Sequence, residues 1–238
     1  MNFEAIVAWT VKNFQLGDAR RSRALGEMVC GLLRGDVVTF AAIGRAMRGV
    51  ATKASKIRRV FEFCHNEHVD PLVVQKTLVQ MLVGRALTTL GRLVSIAVVA
   101  IDWHEYDNGA VTGLRVSLMT GSRAIPLLWK EFKTGELKGR KTAIELEMLE
   151  DLKRLQPPGC TWLMLLDSGF RSPPVIAMLE KVGLYVARSA SNITVHSGRS
   201  CWTNIAKLPV NTGQIVEFGW LHWNRNVPRL VRLVACRL

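Results

Sequence analysis

The sequence predicts an α/β fold: a mixed sheet in the order β-β-β-α-β-α-β, preceded by an all-helical segment and followed by a β-rich one. Three observations carry this. Leu93 to Tyr106, LVSIAVVAIDWHEY, holds a continuous Val- and Ile-rich run at Ile96 to Ile101. A short apolar run of that composition reads as a strand covered on both faces. Trp162 to Leu166, WLMLL, repeats the design. Each run ends in a carboxylate, Asp102 or Asp167, and an open α/β sheet usually places its site at the C-terminal tips of its strands. Finally, Arg140 to Leu155 carries Ile144, Leu146, Met148, Leu149, Leu152 and Leu155 at helical spacing, stopped by Pro157-Pro158-Gly159.

The remaining elements follow in order. Residues 16–34 place Leu25, Met28, Val29, Leu32 and Leu33 on one helical stripe, with Asp18 as N-cap. Phe40 to Met47 and Lys53 to Cys64 are two further helices, the latter with Ile57, Val60, Phe61 and Cys64 on one face. Asp70-Pro71 opens a fourth, with Leu72, Val73, Leu78, Met81 and Leu82 recurring. After the strand at 93–102, Asn108-Gly109 is a turn, and Leu114 to Met119 and Ile125 to Trp129 complete an antiparallel meander. The strand at 161–167 leads to a helix at Pro173 to Val182, opened by Pro173-Pro174 and closed by Gly183. Leu184 to Arg188 is the fifth strand. From Ser189 the texture turns rich in Ser, Asn, Thr and Gly, with strands at Ile215 to Trp223 and Arg229 to Cys236. The chain then stops at Arg237-Leu238. The expected domains are 1–90 helical, 91–190 the sheet core and 191–238 the β-rich segment.

Composition narrows the function classes. With 238 residues and 49% hydrophobic content, the chain can bury a sizeable core. No apolar run approaches the ~20 residues of a membrane helix, and the N-terminus lacks the pattern of a secretory signal. Five scattered cysteines without CxxC spacing fit reduced thiols and a cytoplasmic location. Net charge is +13, and its placement is uneven. Residues 1–60 carry 11 Lys and Arg against 4 Asp and Glu, and residues 171–238 carry 9 against 2. Residues 101–170 carry 9 against 10. Basic arms suit a polyanion, and a local surplus of acids suits a cation.

Two carboxylates that converge from distant parts of the chain can hold Mg²⁺ or Mn²⁺, hard ions that prefer oxygen ligands. Such ions activate a water or 3′-hydroxyl and stabilise the leaving oxygen at phosphorus. The sequence therefore nominates Asp102 and Asp167 as metal ligands for phosphoryl transfer on nucleic acid. Capping of the turn at Ser168-Gly169 is the competing role for Asp167. The candidate DNA-binding cations are Arg20, Arg21, Arg23, Arg45, Arg48, Lys53, Lys56, Arg58 and Arg59 on the N-terminal helices. A solvated helix face is the plain alternative for each.

Other constellations are weaker. Cys64-His65-Asn66-Glu67-His68 has metal-binding residue types but no second Cys/His pair at a zinc-finger distance. His104 can carry a proton beside Asp102 or face DNA, and Glu105 and Asp107 lie near without ligating. No GxxxxGK[ST] or GxGxxG motif supports a nucleotide cofactor.

In combination the motifs resemble the DDE transposases of bacterial insertion sequences, in particular the fourth insertion-sequence family. Leu16-Gly17-Asp18-Ala19-Arg20-Arg21 resembles that family's LGD-x-R-R opening. Lys56 to Asn66, KIRRVFEFCHN, is similar to its helical stretch closed by an Asn. Ile101-Asp102-Trp103 is similar to the first catalytic block. Gly121 to Leu127, GSRAIPL, resembles its GGRALPL strand. Leu166-Asp167-Ser168-Gly169-Phe170 matches the second block, commonly D-R-G-F.

The resemblance implies a ribonuclease-H-like catalytic domain, a helical domain that binds element ends in double-stranded DNA, and a β-rich insertion after the fifth strand. It implies Asp102 and Asp167 as the first two metal ligands, with Mg²⁺ or Mn²⁺ bound, and DNA strand cleavage and transfer as the activity. The family's third ligand is a Glu in a Y-R-E-K signature on a helix beyond the insertion. Here the last acid is Glu217, in the strand-like run IVEFGWLHW. The chain thus resembles the N-terminal part of a transposase with impaired activity. Its alternatives are a non-catalytic DNA-binding fragment that inhibits an intact transposase, as a homodimer or mixed dimer, and a ribonuclease-H-like nuclease with a different third acid. The resemblance also implies a nucleoid-associated protein. Without the final helix, one sheet face is expected to stay apolar and exposed.

Overall fold

The computed structural model describes residues 2–35, 37–89, 96–121, 123–190, 192–198, 201–226 and 228–236. The chain divides into two compact units, Met1–Val94 with Leu155–Pro158, and Ser95–Arg154 with Gly159–Leu238. No helix among the described residues is long and apolar enough to cross a membrane.

The first unit is helical: α1 Phe3–Asn13, α2 Ala19–Arg34, α3 Phe40–Ala46, α4 Lys53–Cys64 and α5 Pro71–Thr89. Short polar side chains start four of these helices. Asn2, Asp18, Thr39 and Thr52 accept hydrogen bonds from the backbone N–H of Ala5, Arg20, Ala42 and Ser55. Each satisfies an N–H that the helix leaves without a partner.

The predicted apolar stripe of α2 is not its buried face. Ser22, Ala24, Gly26, Cys30 and Gly31 are buried, while Leu32 and Leu33 are exposed. The reason is close helix approach. A Cβ on Gly26 would stand 3.0 Å from the Cα of Val7 in α1, and one on Gly31 would stand 2.7 Å from the carbonyl oxygen of Ile43 in α3. Only the face without large side chains admits the neighbouring backbones. Helix α1, which residue periodicity does not announce, is one of those neighbours. Likewise, Val60 alone is buried on α4, and Phe61 and Cys64 are exposed. Among the α5 residues whose burial is described, Val79 and Val83 are buried, and Val73 and Leu78 are exposed.

The second unit contains β1 Ile96–Tyr106, β2 Val111–Thr120, β3 Arg123–Lys133, α6 Lys141–Arg154, β4 Thr161–Leu166, α7 Pro173–Val182 and β5 Gly183–Ala187. Residues 93–95 of the predicted first strand, Ser122 of the GSRAIPL segment and the terminal Arg237-Leu238 lie outside the described residues. The sheet order is β3-β2-β1-β4-β5. β1, β2 and β3 pair antiparallel, whereas β4 pairs parallel with both β1 and β5. A second sheet, β7-β6-β8-β9, comprises β6 Thr194–His196, β7 Thr203–Asn204, β8 Ile215–Trp223 and β9 Arg229–Cys236.

Strand alternation sorts the first sheet into two faces. One carries Ala97, Val99, Ile101, Leu114, Val116, Leu118, Trp162, Met164 and Leu166, all buried. Helix α6 is fastened to this face. The Trp162 indole N–H donates to the carbonyl of Leu152 at 3.2 Å, and Lys130 bridges Glu147 and Asp151 at 2.7 and 3.1 Å. Burying each large apolar side chain here contributes about 1.5–3 kcal/mol. The other face carries Val98, Ala100, Leu163 and Leu165, half-buried, and Leu184 and Val186, 52% and 59% exposed.

Candidate metal and nucleic-acid site

The parallel β1–β4 ladder ends at the register pair Ile101↔Leu166. Asp102 and Asp167 are the next residues on each strand. Neighbouring strands run about 4.8 Å apart, so the ladder carries these two carboxylates, 65 positions apart in sequence, to the same end of adjacent strands. Both residues are exposed.

The surroundings of Asp102 differ from expectation in one respect. Asp102 is not the tip of its strand. β1 continues to Tyr106, held by β2 in the pairs Asp102↔Arg115 through Tyr106↔Val111. A long antiparallel partner keeps the backbone extended after the parallel neighbour has stopped. Asp102 therefore sits at the step where β4 ends and β1 goes on. Backbone pairing with β2 holds Asp102 in place beyond the last β1–β4 pair.

Asp167 makes the turn predicted for it. Its Oδ1 accepts from the Gly169 N–H at 2.8 Å. Capping and ligation are compatible, because a carboxylate offers lone pairs on both oxygens.

The carboxylate that residue pattern did not nominate is Glu145 on α6. It is buried, 6% exposed, and its Oε1 accepts from the Trp103 indole N–H at 2.9 Å. The Lys141 ammonium lies 5.3 Å from the centre of the Trp103 ring. Burial pushes the Glu145 carboxyl up from the ordinary value. The Trp103 hydrogen bond and the Lys141 charge oppose that shift, and the negative charge of Asp167 adds to it. An acid inside an apolar helical stripe, flanked by Ile144 and Leu149, was the available signal.

The donor set at Asp102 and Asp167 consists of hard carboxylate oxygens, which fits Mg²⁺ or Mn²⁺ in type. Among the described residues no group of three or more His, Cys, Asp or Glu is disposed to hold a metal ion. His104 follows Asp102 on the same strand face and meets the Tyr106 ring edge-on at 4.7 Å. Glu105 lies on the opposite face, where it lines a groove with Lys138 and Lys141. The cysteine of the Cys64–His68 stretch is exposed, and His65 stacks on Phe61 at 4.0 Å, its Nδ1 against the Phe61 carbonyl at 2.8 Å.

The nine nominated cations of the helical unit fall into three groups. Arg23 and Arg59 share Glu27, at 3.2 and 2.7 Å, and Arg58 pairs with Glu62 at 2.7 Å. Arg21 donates to the Leu16 carbonyl, Lys56 to the Gly49 carbonyl, and Arg48 lies over the Phe3 ring at 4.5 Å. Arg20, Arg45 and Lys53 are exposed, with no side-chain hydrogen bond or ion pair among the described residues.

No protein-family model and no curated protein sequence matches this chain.

Proposed function

We propose that the chain belongs to a transposase-type DNA strand-transfer enzyme, with Asp102 and Asp167 holding Mg²⁺ or Mn²⁺ on a ribonuclease-H-like sheet. The observation that carries this reading is the parallel β1–β4 ladder ending at Ile101↔Leu166, one residue before each aspartate. The meander-then-crossover order β3-β2-β1-β4-β5 supports the same reading. A bound dication would polarise a phosphodiester oxygen and lower the pKa of an attacking water or hydroxyl. The chain's own part is to hold two oxygen donors beside each other and to draw the DNA in with Arg20, Arg45 and Lys53. Element ends and target in double-stranded DNA are the partners of this reading.

The test is nicking of a supercoiled plasmid in Mg²⁺ or Mn²⁺, with DNA binding measured in parallel. Asp102→Asn and Asp167→Asn abolish nicking and leave binding intact. Nicking that persists in both variants contradicts the assignment.

A second reading is favoured by one observation: among the described residues no third acid completes a metal cluster with the two aspartates. On that reading the chain binds DNA without cutting it and competes with, or dimerises with, an active transposase. Salt-sensitive binding with no metal-dependent nicking by the unmodified chain selects it.

A further inference from the structure

The open face of the first sheet carries a feature the metal reading does not use. Strand register lines up Asp102, Arg115 and Trp129 across β1, β2 and β3. The next row toward the end of β1 is His104, Gly113 and Glu131. Directly opposed residues in antiparallel strands share a face, so Arg115 and Trp129 stand on the Asp102 side, away from α6. Between these rows lies a groove of about 250 Å³, lined by Tyr106, Gly113, Arg115, Pro126, Trp129 and Glu131.

Three details suit this groove to a flat, negatively charged guest. Trp129 is 58% exposed and Tyr106 37% exposed, although both are large aromatic residues on a sheet. Gly113 seats the Tyr106 ring: a Cβ there would stand 3.0 Å from Tyr106 Cε2. A Cβ at 113 would press on the ring edge and shift it by a few tenths of an ångström. Arg115 forms no ion pair with the described acids, and its register partners are the candidate metal ligand and the tryptophan. An aromatic pair flanking a free guanidinium is the combination that holds an unpaired base and its phosphate. The volume lies below the ~300–1,000 Å³ common for enclosed cofactor sites, which favours a single base over a whole cofactor. β3 is the edge strand of the sheet, so the groove lies at its rim.

We infer that Tyr106, Arg115 and Trp129 form a subsite for an unpaired nucleotide of the DNA strand whose phosphodiester lies at Asp102. The inference deepens the proposed function and rests on that reading for the identity of the strand. Tyr106 and Trp129 supply stacking surfaces. Arg115 contacts the phosphate between the stacked base and Asp102. Glu131, at the far side, can accept from the exocyclic amine of cytosine. The subsite therefore takes a frayed or single-stranded end, and the cations of the helical unit take the duplex.

The test uses the full chain in EDTA, so that no metal chemistry enters. Fluorescence anisotropy measures binding of a single-stranded oligodeoxycytidine and of a blunt duplex of equal length. Stacking is worth about 1–3 kcal/mol per base, so Trp129→Ala and Arg115→Ala each weaken the single-strand complex roughly tenfold and leave the duplex complex unchanged. Trp220→Ala, at an exposed tryptophan of the other sheet, changes neither. Because Trp129 is mostly exposed, its removal leaves the core in place. A second measurement is independent of variant folding: a 5-iododeoxyuridine oligomer is photocrosslinked to the unmodified chain and the peptide is mapped. A crosslink within residues 103–133 supports the subsite. Single-strand affinity unchanged in both variants, or a crosslink confined to other peptides, overturns it. Loss of the subsite with metal binding intact leaves the enzymatic reading standing. Loss of metal binding with the subsite intact removes the enzymatic reading alone.

Discussion

Trp103 and Glu145 join the strand that bears Asp102 to the helix behind it, indole Nε1 to carboxylate Oε1 at 2.9 Å. Trp103 points to the α6 face, so the bond fixes the backbone at Asp102 from behind while Asp102 faces outward. The groups around Glu145 are Trp103 on β1, Lys141 on its own helix and Asp167 beyond β4.

This bond has a pH signature in the metal-free protein. Burial, the largest cause, raises the folded-state pKa of Glu145 above its ordinary 4.5. The folded state then binds more protons than the unfolded state within the window between the two values. Stability from this group is full below 4.5 and is lost as pH rises from there through the raised folded pKa. Glu145→Gln removes that decline and keeps the Trp103 bond. Melting temperatures taken from about pH 4 to 7 check this: the difference between variant and parent grows in the variant's favour with pH. Glu145→Ala loses the bond and leaves the half-buried Trp103 indole N–H without this partner, costing about 1 kcal/mol.

Gly44 is the tightest point of the helical unit. A Cβ there would stand 2.6 Å from the Cα of Ile57 and 2.7 Å from its backbone nitrogen. Backbone cannot move aside as a flexible side chain can. Gly44→Ala forces α3 from α4 and lowers stability by about 1–3 kcal/mol, read as a drop in the urea midpoint. Ala at the open position Gly84 of α5, where nothing lies within 4 Å of an added Cβ, stabilises slightly through helix propensity.

Arg20, Arg45 and Lys53, without an ion-pair partner among the described residues, predict a salt response. Arg45→Ala with Lys53→Ala lowers the slope of log K against log salt by about 2 on duplex DNA, one unit for each phosphate no longer neutralised. Arg58→Ala lowers it less, because Glu62 already offsets that charge. Equal slopes for parent and double variant would remove these two residues from the DNA surface.

Lys130 ties edge strand β3 to α6. Burial lowers its pKa, but hydrogen bonds and the charges of Glu147 and Asp151 prevail and hold it above the usual lysine value. Lys130→Met breaks both ion pairs and leaves Asp151, 17% exposed, with the Arg154 guanidinium at 3.4 Å as its remaining partner. The expected loss is about 1 kcal/mol, since Glu147 is well exposed and solvent screens its share. Thermal denaturation checks it.

Much of this architecture was legible from residue pattern. Ile96–Ile101 and Trp162–Leu166 are apolar on both sides, and each became a central strand. Lys53–Cys64, Pro173–Val182, Ile215–Trp223 and Arg229–Cys236 have the observed bounds because caps, prolines and Gly183 mark their ends. The buried face of α2 was not legible, because it is built from Gly26 and Gly31 and depends on how near α1 and α3 come. Hydrophobic periodicity reports what a helix can bury, not the distance to its neighbour. The continuation of β1 past Asp102 was hidden for a related reason: Trp103 to Tyr106 is a polar stretch held by pairing with β2. The two aspartates were visible one by one. Their adjacency depends on parallel register, and Glu145 and the Arg115–Trp129 pair became evident only with the sheet and helix in place.

Titration of the purified chain with Mn²⁺, followed by calorimetry, tests the central claim most directly. The account predicts that the parent binds the ion and that Asp102→Asn and Asp167→Asn each weaken binding at least tenfold, with the double variant no worse than the weaker single one. Undiminished Mn²⁺ binding in the double variant, or none by the parent, would contradict it.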